Sequence, residues 1–181
     1  MTRPNDLKKP IKMWRKNPYR MTVEERQKLI SKLGFFNNYK KFGSVDLQGS
    51  CRKREIERLL GDSINVFNVE SNHNCAGREF IEFITEIGYK DEPTVDKDGK
   101  PLSIRSTPVH TGACHEKFYY VGELIKIYDK FDVNYCNKSG LTHFHAACMS
   151  GCHGVVERFL ELGQDPNCIA QIGSATPPPL H

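Results

Sequence analysis

The sequence predicts an all-α fold that is built from short helices joined by loops. Apolar residues recur at helical spacing in several short segments, and the stretches between them are rich in Asp, Asn, Gly and Pro. Short sequence patterns also recur after about 33 residues, which is typical of repeat architectures. Only residues 65–69, NVFNV, suggest extended structure. The chain of 181 residues is 38% hydrophobic and 27% charged, as expected of a folded protein.

The chain begins with a basic arm. Residues 1–41 hold twelve lysines and arginines against three acidic residues, a net charge of +9. The rest of the chain holds fourteen against nineteen, a net charge of −5. Residues 1–20 contain three prolines and no apolar period, so we expect them to be disordered or loosely attached. Such an arm is either a solvated tail or a surface for nucleic acid, anionic lipid or an acidic partner.

The first predicted helix lies near residues 22–33. Thr22 is a candidate N-cap and Glu25, three residues later, completes a capping box. Gly34 is expected to follow the end of the helix. Residues 1–43 therefore form a basic N-terminal extension, partly disordered and with one helix, which precedes a domain at 44–181.

Four further segments are predicted to be helices because each places apolar residues on one face. Glycines at 61, 88 and 163 are expected to end three of them. The segments are CRKREIERLL (51–60), REFIEFITEIG (78–88), VGELIKIYDKF (121–131) and GVVERFLELG (154–163).

Self-comparison of the sequence reveals a repeated unit. The segment 107–110, Thr-Pro-Val-His, recurs at 142–145 as Thr-His-Phe-His, and once more in ATPPPLH at the end of the chain. The Asp-Val-Asn segment at 132–134 recurs at 165–167 as Asp-Pro-Asn. Each unit is a pair of short helices with loops, and such a unit buries its apolar face by stacking on its neighbours.

This pattern resembles the ankyrin repeat. The unit KSGLTHFHAACMSGCHGVVERFLELGQDPN follows the family's G-x-T-P-L-H-x-A-A-x-x-G-x-x-x-x-V-x-x-L-L-x-x-G-A-D-x-N. The resemblance implies an ankyrin-like solenoid of helix-turn-helix repeats. It places degenerate repeats at 44–95, repeats at 96–134 and 137–167, and an incomplete repeat at 168–181. The repeat-structural positions that it implies are Thr107, Pro108, His110, Thr142, His145, Ala146, Ala147, Gly151, Val156, Leu160, Gly163, Asp165 and Asn167.

The segment GLTHFHAACMSGCH (140–153) also carries a cluster of His and Cys residues. His145, Cys148 and Cys152 could share one helix face as metal ligands, with His143 or His153 as the fourth. A Cys–His dyad is a second alternative. In the repeat reading, however, the resemblance gives His145 a role in ordering the loop through hydrogen bonds. We therefore predict no metal site, no cofactor and no catalytic residue, and expect Cys148 and Cys114 to be helix-packing thiols.

The chain carries no recognisable export signal at its start, and no apolar run is long enough for a membrane span. Seven cysteines, an odd number, are then expected to be free thiols in a reducing compartment. These observations predict a cytoplasmic or nuclear protein.

The function expected from the resemblance is that of a non-enzymatic scaffold that presents a concave surface to a protein partner. The alternative is a nucleic-acid or anionic-surface binder that works through the basic arm. Positions that the repeat does not need for its own structure are the candidate partner contacts. They are Lys97, Lys100, Arg105, Thr111, His115, Lys138, Ser139, Met149 and Ser150.

The C-terminal segment leads to two further expectations. Val155, Val156, Phe159, Leu160 and Leu162 are expected to bury against a following repeat. The consecutive prolines at 177–179 disfavour a helix there, so residues 168–181 are expected to be poorly ordered and the stripe to lack part of its cover. The sequence is accordingly interpreted as a fragment of a longer repeat protein.

Overall fold

The computed structural model describes residues 21–37, 53–65 and 75–169. These residues contain seven α-helices and no β-strand apart from isolated bridges, so the predicted all-α class is confirmed. No helix among them is long and apolar enough to cross a membrane. The predictions for residues 1–20, 66–69 and 170–181 lie outside the described residues. The helices are α1 (Val23–Asn37), α2 (Lys53–Ser63), α3 (Cys75–Glu86), α4 (Pro108–Cys114), α5 (Phe118–Ile125), α6 (His143–Met149) and α7 (His153–Glu161).

The chain divides into two compact units, Met1–Tyr89 and Lys90–His181. The first contains α1, α2 and α3, and the second contains α4 to α7. Helix α1 packs against α2 and α3 inside the first unit. The division after Tyr89 therefore differs from the sequence-based boundary between residues 43 and 44, which separated α1 from the helices it contacts.

The predicted capping box at the start of α1 is present. The Thr22 amide donates to a Glu25 carboxylate oxygen at 2.9 Å, and the Glu25 amide donates to the Thr22 hydroxyl oxygen at 3.2 Å. The predicted end is wrong, because α1 continues through Gly34 to Asn37. One glycine inside a helix costs only about 1 kcal/mol relative to alanine, so it does not by itself end the helix.

The same correction applies to α2, which continues through Gly61 to Ser63. Gly88 and Gly163 do follow helix ends as predicted, and both adopt positive φ angles of 75° and 86°. A glycine ends a helix when the chain needs that left-handed conformation, and composition alone does not reveal the need. Helix α5 also differs from prediction, since it spans Phe118–Ile125 instead of 121–131.

Apolar residues from all three helices form the core of the first unit. At one point the backbones of α2 and α3 approach closely, because a Cβ atom added to Gly77 would lie 2.0 Å from the Ser63 carbonyl oxygen. The buried guanidinium of Arg26 forms an ion pair with Asp62 and donates to the Met21 carbonyl oxygen at 2.7 Å. The largest buried side chains of the unit are Ile30, Leu33, Ile56, Leu59, Leu60, Ile64, Phe80, Ile81 and Ile84.

The second unit consists of two helix pairs, α4 with α5 and α6 with α7. The first helices of the pairs, α4 and α6, pack against each other, and α6 also packs against α5. Phe159 of α7 meets Phe144 of α6 within its own pair at 5.8 Å between ring centroids, and it meets Phe131, from the segment that follows α5, at 5.2 Å. The two pairs therefore share one continuous core.

A tight turn precedes the first helix of each pair. In the first turn Asp96 accepts hydrogen bonds from the amides of Asp98 and Lys100, both at 2.9 Å. In the second, Asn137 accepts from the amides of Ser139 and Leu141, both at 3.0 Å. Carboxylate and amide oxygens of Asp and Asn stabilise turns in this way. The two turns are thus built alike, and each lies in a short extended hairpin.

The apolar stripe of α7, which was expected to lack part of its cover, is exposed at Leu160 and Leu162. Phe159 is buried, whereas Val155 and Val156 are half-buried. Leu160 directly follows Phe159 and is turned about 100° away from it around the helix, so it lies at the edge of the buried side of α7, whereas Phe159 meets Phe144 of α6.

Candidate functional site

The two Thr-x-x-His segments adopt the same hydrogen-bonded geometry. The Thr107 amide donates to Nδ1 of His110 at 3.0 Å, and the Thr142 amide donates to Nδ1 of His145 at 3.3 Å. Because Nδ1 accepts in both rings, the ring proton lies on Nε2. Each histidine therefore caps the start of its helix and keeps one N–H for another partner.

That second partner is a carbonyl oxygen beyond the second helix of the same pair. Nε2 of His110 lies 3.2 Å from the Tyr135 carbonyl oxygen, and Nε2 of His145 lies 3.1 Å from that of Cys168. Each ring thereby joins the beginning of a pair to the chain segment that leaves it. The hydrogen-bonding role expected for the repeat histidine is present at both positions.

A third histidine, His143, is buried between the two helix pairs. Its Nε2 lies 2.7 Å from the Thr107 hydroxyl oxygen. Its ring centroid lies 4.8 Å from that of His110, 5.4 Å from Tyr128 and 5.3 Å from Tyr135. Sequence reasoning considered His143 only as a fourth metal ligand. The available signal was its place directly after the capping Thr142, where the first repeat has Pro108.

Burial keeps these rings neutral. Burial lowers the pKa of His143 well below its ordinary value, and His110 and Arg105 lower it further. Burial also lowers the pKa of His110 to about 4, against hydrogen bonds to backbone groups that raise it. A neutral imidazole can accept a hydrogen bond at one ring nitrogen and donate one from the other. His110 does so, because its Nδ1 accepts from the Thr107 amide and its Nε2 donates to the Tyr135 carbonyl oxygen.

An ion-paired network lies beside the histidines. The guanidinium of Arg105 donates to both carboxylate oxygens of buried Asp91, at 2.9 and 3.1 Å. The Tyr135 hydroxyl donates to Asp91 at 2.8 Å, and the Arg105 guanidinium lies 4.9 Å from the Tyr135 ring centroid. Burial, followed by the hydrogen bond to Asp91, raises the pKa of the Tyr135 hydroxyl. The network connects segments that are 14 and 44 residues apart in sequence.

This arrangement changes the interpretation of Arg105, which was predicted to be a partner contact. Its side chain is 18% exposed and its charged end is held by Asp91 and Tyr135. The segment 101–106 is fixed beside Cys136, because Ile104 forms a parallel bridge with Cys136 and the Arg105 amide donates to the Cys136 carbonyl oxygen at 2.8 Å. The structure therefore places Arg105 inside the unit rather than at the tip of a loop.

The other predicted contact positions lie at or near the surface. Thr111 and Ser150 are half-buried, and Ser150 donates its hydroxyl proton to the Ala146 carbonyl oxygen at 2.7 Å. The remaining positions are exposed on the two turns and at the ends of α4 and α6. They are Lys97, Lys100, His115, Lys138, Ser139 and Met149.

The cysteines near His145 do not form a metal-ligand cluster in the described part of the chain. Cys168 Sγ lies 3.7 Å from Nε2 of His145, a nitrogen already bonded to the Cys168 carbonyl oxygen. Burial, with a contribution from Cys168, raises the pKa of the Cys148 thiol to about 11. Cys114 was predicted to pack within the helix layer but is exposed.

Comparisons with known proteins identify no relative. No protein-family model matches the chain, no curated protein matches it, and no solved structure matches it.

Proposed function

We propose that residues 90–169 form an ankyrin-like repeat module that binds a protein partner through its turns and its first helices. The observation that carries this proposal is the duplicated Thr-x-x-His geometry, in which His110 and His145 each bridge a helix start to a carbonyl oxygen beyond the pair. This use of a histidine holds turns and helices in a fixed relation. The resemblance in sequence and the repeated geometry support each other.

The contact surface that we propose combines the two turns with the exposed ends of α4 and α6. Lys97, Lys100 and Lys138 supply positive charge at the turns, and Met149 supplies an apolar, adaptable side chain. Rigid framework bonds lie directly behind these residues, at Asp96 and Asn137. A pre-ordered surface of this kind binds with less loss of conformational entropy than a flexible loop.

Binding without catalysis is the favoured interpretation because the reactive groups near the surface are engaged or inactive. The His145 ring is held by backbone groups at both nitrogens. A Cys148 thiol with a pKa of about 11 stays protonated at neutral pH, whereas a nucleophilic cysteine acts as the thiolate. These properties support a scaffold and argue against a Cys–His dyad.

The test is affinity capture with the full chain and two charge-matched variants, read out by quantitative mass spectrometry. The surface variant carries Lys138→Glu with Met149→Gln, and the control carries Arg158→Glu on the exposed side of α7, so that each changes the net charge by the same amount. We expect a defined set of proteins to be depleted by the surface variant and retained by the control. If the full chain and both variants capture the same proteins in equal amounts, and their circular dichroism is unchanged, this surface does not bind the partner.

The charge distribution supports a second candidate function, the binding of polyanions by the basic arm. Residues 1–41 carry a net charge of +9, whereas the rest of the chain carries −5. Counterion release predicts that such binding weakens steeply with salt, with a log–log slope of about −0.9 for each phosphate neutralised. Titration of fluorescent duplex DNA with the full chain and with a chain lacking residues 1–20 tests this. Equal DNA binding by both proteins would show that residues 1–20 do not contribute to polyanion binding.

A further inference from the structure

Two thiols lie near His145, outside the surface that we propose for partner binding. The Cys168 Sγ atom lies 3.7 Å from Nε2 of His145, and the Cys168 carbonyl oxygen lies 3.1 Å from the same nitrogen. Cys148 follows His145 by three residues on α6, and residues three apart on a helix lie on the same side. His145 therefore brings the segment that leaves α7 close to the side of α6 that carries Cys148.

The electrostatics of the two thiols agree with this proximity. Burial raises the pKa of the Cys148 thiol to about 11, and the Cys168 thiol contributes to the rise. Such a contribution requires the two sulfur atoms to lie near each other, because the interaction between two charges weakens with distance. Both thiols are half-buried and free. The fold thus holds two reduced cysteines from distant segments beside one imidazole ring.

The preceding helix pair has no thiol at either equivalent position. The residue three positions after His110 is Ala113, and the residue whose carbonyl oxygen accepts from His110 is Tyr135. Tyr135 is fixed by the hydrogen bond of 2.8 Å from its hydroxyl to Asp91. The last pair has a cysteine at both positions. A covalent bond between those cysteines would fix the segment after α7 as Asp91 fixes the segment after α5.

We propose that Cys148 and Cys168 form a disulfide when the chain meets a low-molecular-weight disulfide such as glutathione disulfide. The Cys168 thiolate attacks one sulfur atom of glutathione disulfide, and one glutathione leaves as its thiolate. The Cys148 thiolate then attacks the Cys168 sulfur atom and displaces the second glutathione. The two cysteine protons pass to the two glutathione thiolates. The cysteines are oxidised to one disulfide, and glutathione disulfide is reduced to two glutathione molecules.

This disulfide is expected to form slowly and to resist reduction. Only a thiolate attacks a disulfide, and burial raises the pKa of both thiols. A site that stabilises a thiolate favours the reduced form and makes its disulfide easy to reduce. Neither thiolate is stabilised in this fold. The bond between Cys148 and Cys168 therefore acts as a structural lock and not as a rapid sensor of oxidants.

The test incubates the full chain at pH 8 with a fixed mixture of glutathione and glutathione disulfide. Remaining thiols are blocked with N-ethylmaleimide, and the chain is digested with trypsin and analysed by mass spectrometry without reduction. Cleavage after Arg158 separates Cys168 from Cys148. Cys152 lies in the same tryptic peptide as Cys148, so the original chain is compared with the variants Cys148→Ser, Cys152→Ser and Cys168→Ser. Circular dichroism verifies that each variant is folded.

A cross-link between residues 148 and 168 is expected in the original chain and in Cys152→Ser, and in neither of the other variants. At equilibrium the folded chain should form it at least about tenfold more favourably than the chain unfolded in urea, a difference of about 30 mV in reduction potential. The proposal is overturned if the folded chain yields only mixed disulfides with glutathione or links another pair of cysteines instead. It is also overturned if the folded chain forms the cross-link no more favourably than the unfolded chain.

Discussion

His143 and Thr107 are joined by a buried hydrogen bond of 2.7 Å between Nε2 and the hydroxyl oxygen. Thr107 precedes α4 and His143 is the first residue of α6, so the bond ties the starts of two successive helix pairs together. The Thr107 hydroxyl oxygen also lies 3.0 Å from Nδ1 of His110. The Thr107 hydroxyl therefore contacts one histidine from each pair and links the start of α4 to the start of α6.

The first prediction concerns His143. Replacing it with alanine removes a buried ring and leaves the Thr107 hydroxyl without one of its partners, so we expect a loss of about 2–4 kcal/mol in the free energy of unfolding. The matched control is His153→Ala, at the exposed first residue of α7, which should cost less than about 0.5 kcal/mol. Urea titrations at pH 7.5 measure both. Similar small costs would show that His143 does not hold the pairs together.

The local parts of the fold were predictable from sequence and the long-range parts were not. The capping boxes at Thr22, Thr107 and Thr142 depend on residues three positions apart, and each is present in the structure. Asp91 contacts Arg105 and Tyr135, which lie in distant segments of the chain. The spacing of apolar residues in the sequence does not predict these contacts. The same limit applies to His143, whose hydrogen-bond partner Thr107 lies 36 residues earlier in the chain.

Burial also depends on the neighbouring element. Leu160 lies 35 residues after Ile125, the same spacing that separates Thr142 from Thr107, yet Ile125 is buried and Leu160 is exposed. Whether such a residue is covered is decided by the element that packs beside it and not by its own helix. Helix ends at Gly34 and Gly61 were mispredicted for a related reason, because a glycine does not reveal whether the following backbone must turn.

The second prediction concerns pH. The folded-state pKa of His110 is lowered to about 4, and burial lowers that of His143 well below its ordinary value. The unfolded chain binds these protons near pH 6.5, so it holds more protons than the folded chain below that pH. Stability is therefore complete above about pH 6.5 and falls as the pH drops toward 4, by up to about 1.4 kcal/mol per pH unit for each ring.

Denaturant titrations between pH 7.5 and 4.5 measure this slope. His143→Gln is the informative variant, because its amide can still bond to Thr107 but cannot be protonated. We expect a shallower loss of stability on acidification for this variant than for the original chain. An unchanged slope would mean that His143 does not titrate on unfolding in this range.

The third prediction concerns the buried carboxylate. Asp91→Asn leaves the Arg105 guanidinium without its counter-charge and should destabilise the chain by about 2 kcal/mol. This is below the value for a fully buried pair, because Arg105 is 18% exposed and keeps some contact with water. The control is Lys126→Ala, whose ion pair with Glu123 is exposed on the lysine side and should cost less than about 1 kcal/mol. Thermal or urea unfolding distinguishes the two, and equal effects would contradict a structural role for Asp91.

The last prediction contrasts two helical glycines of the first unit. Gly77 lies where α3 approaches α2, and a Cβ atom there would stand 2.0 Å from the Ser63 carbonyl oxygen. Since that oxygen belongs to the backbone of α2, Gly77→Ala must separate the helices, and we expect a loss of about 1–3 kcal/mol. Gly61 in α2 has no atom within 4 Å of such a Cβ, so Gly61→Ala should instead stabilise by about 0.5–1 kcal/mol through its higher helix propensity. Unfolding midpoints of the two variants test the opposite signs directly. If Gly77→Ala is neutral or stabilising while Gly61→Ala behaves as expected, the close approach of α2 and α3 at Ser63 is wrong.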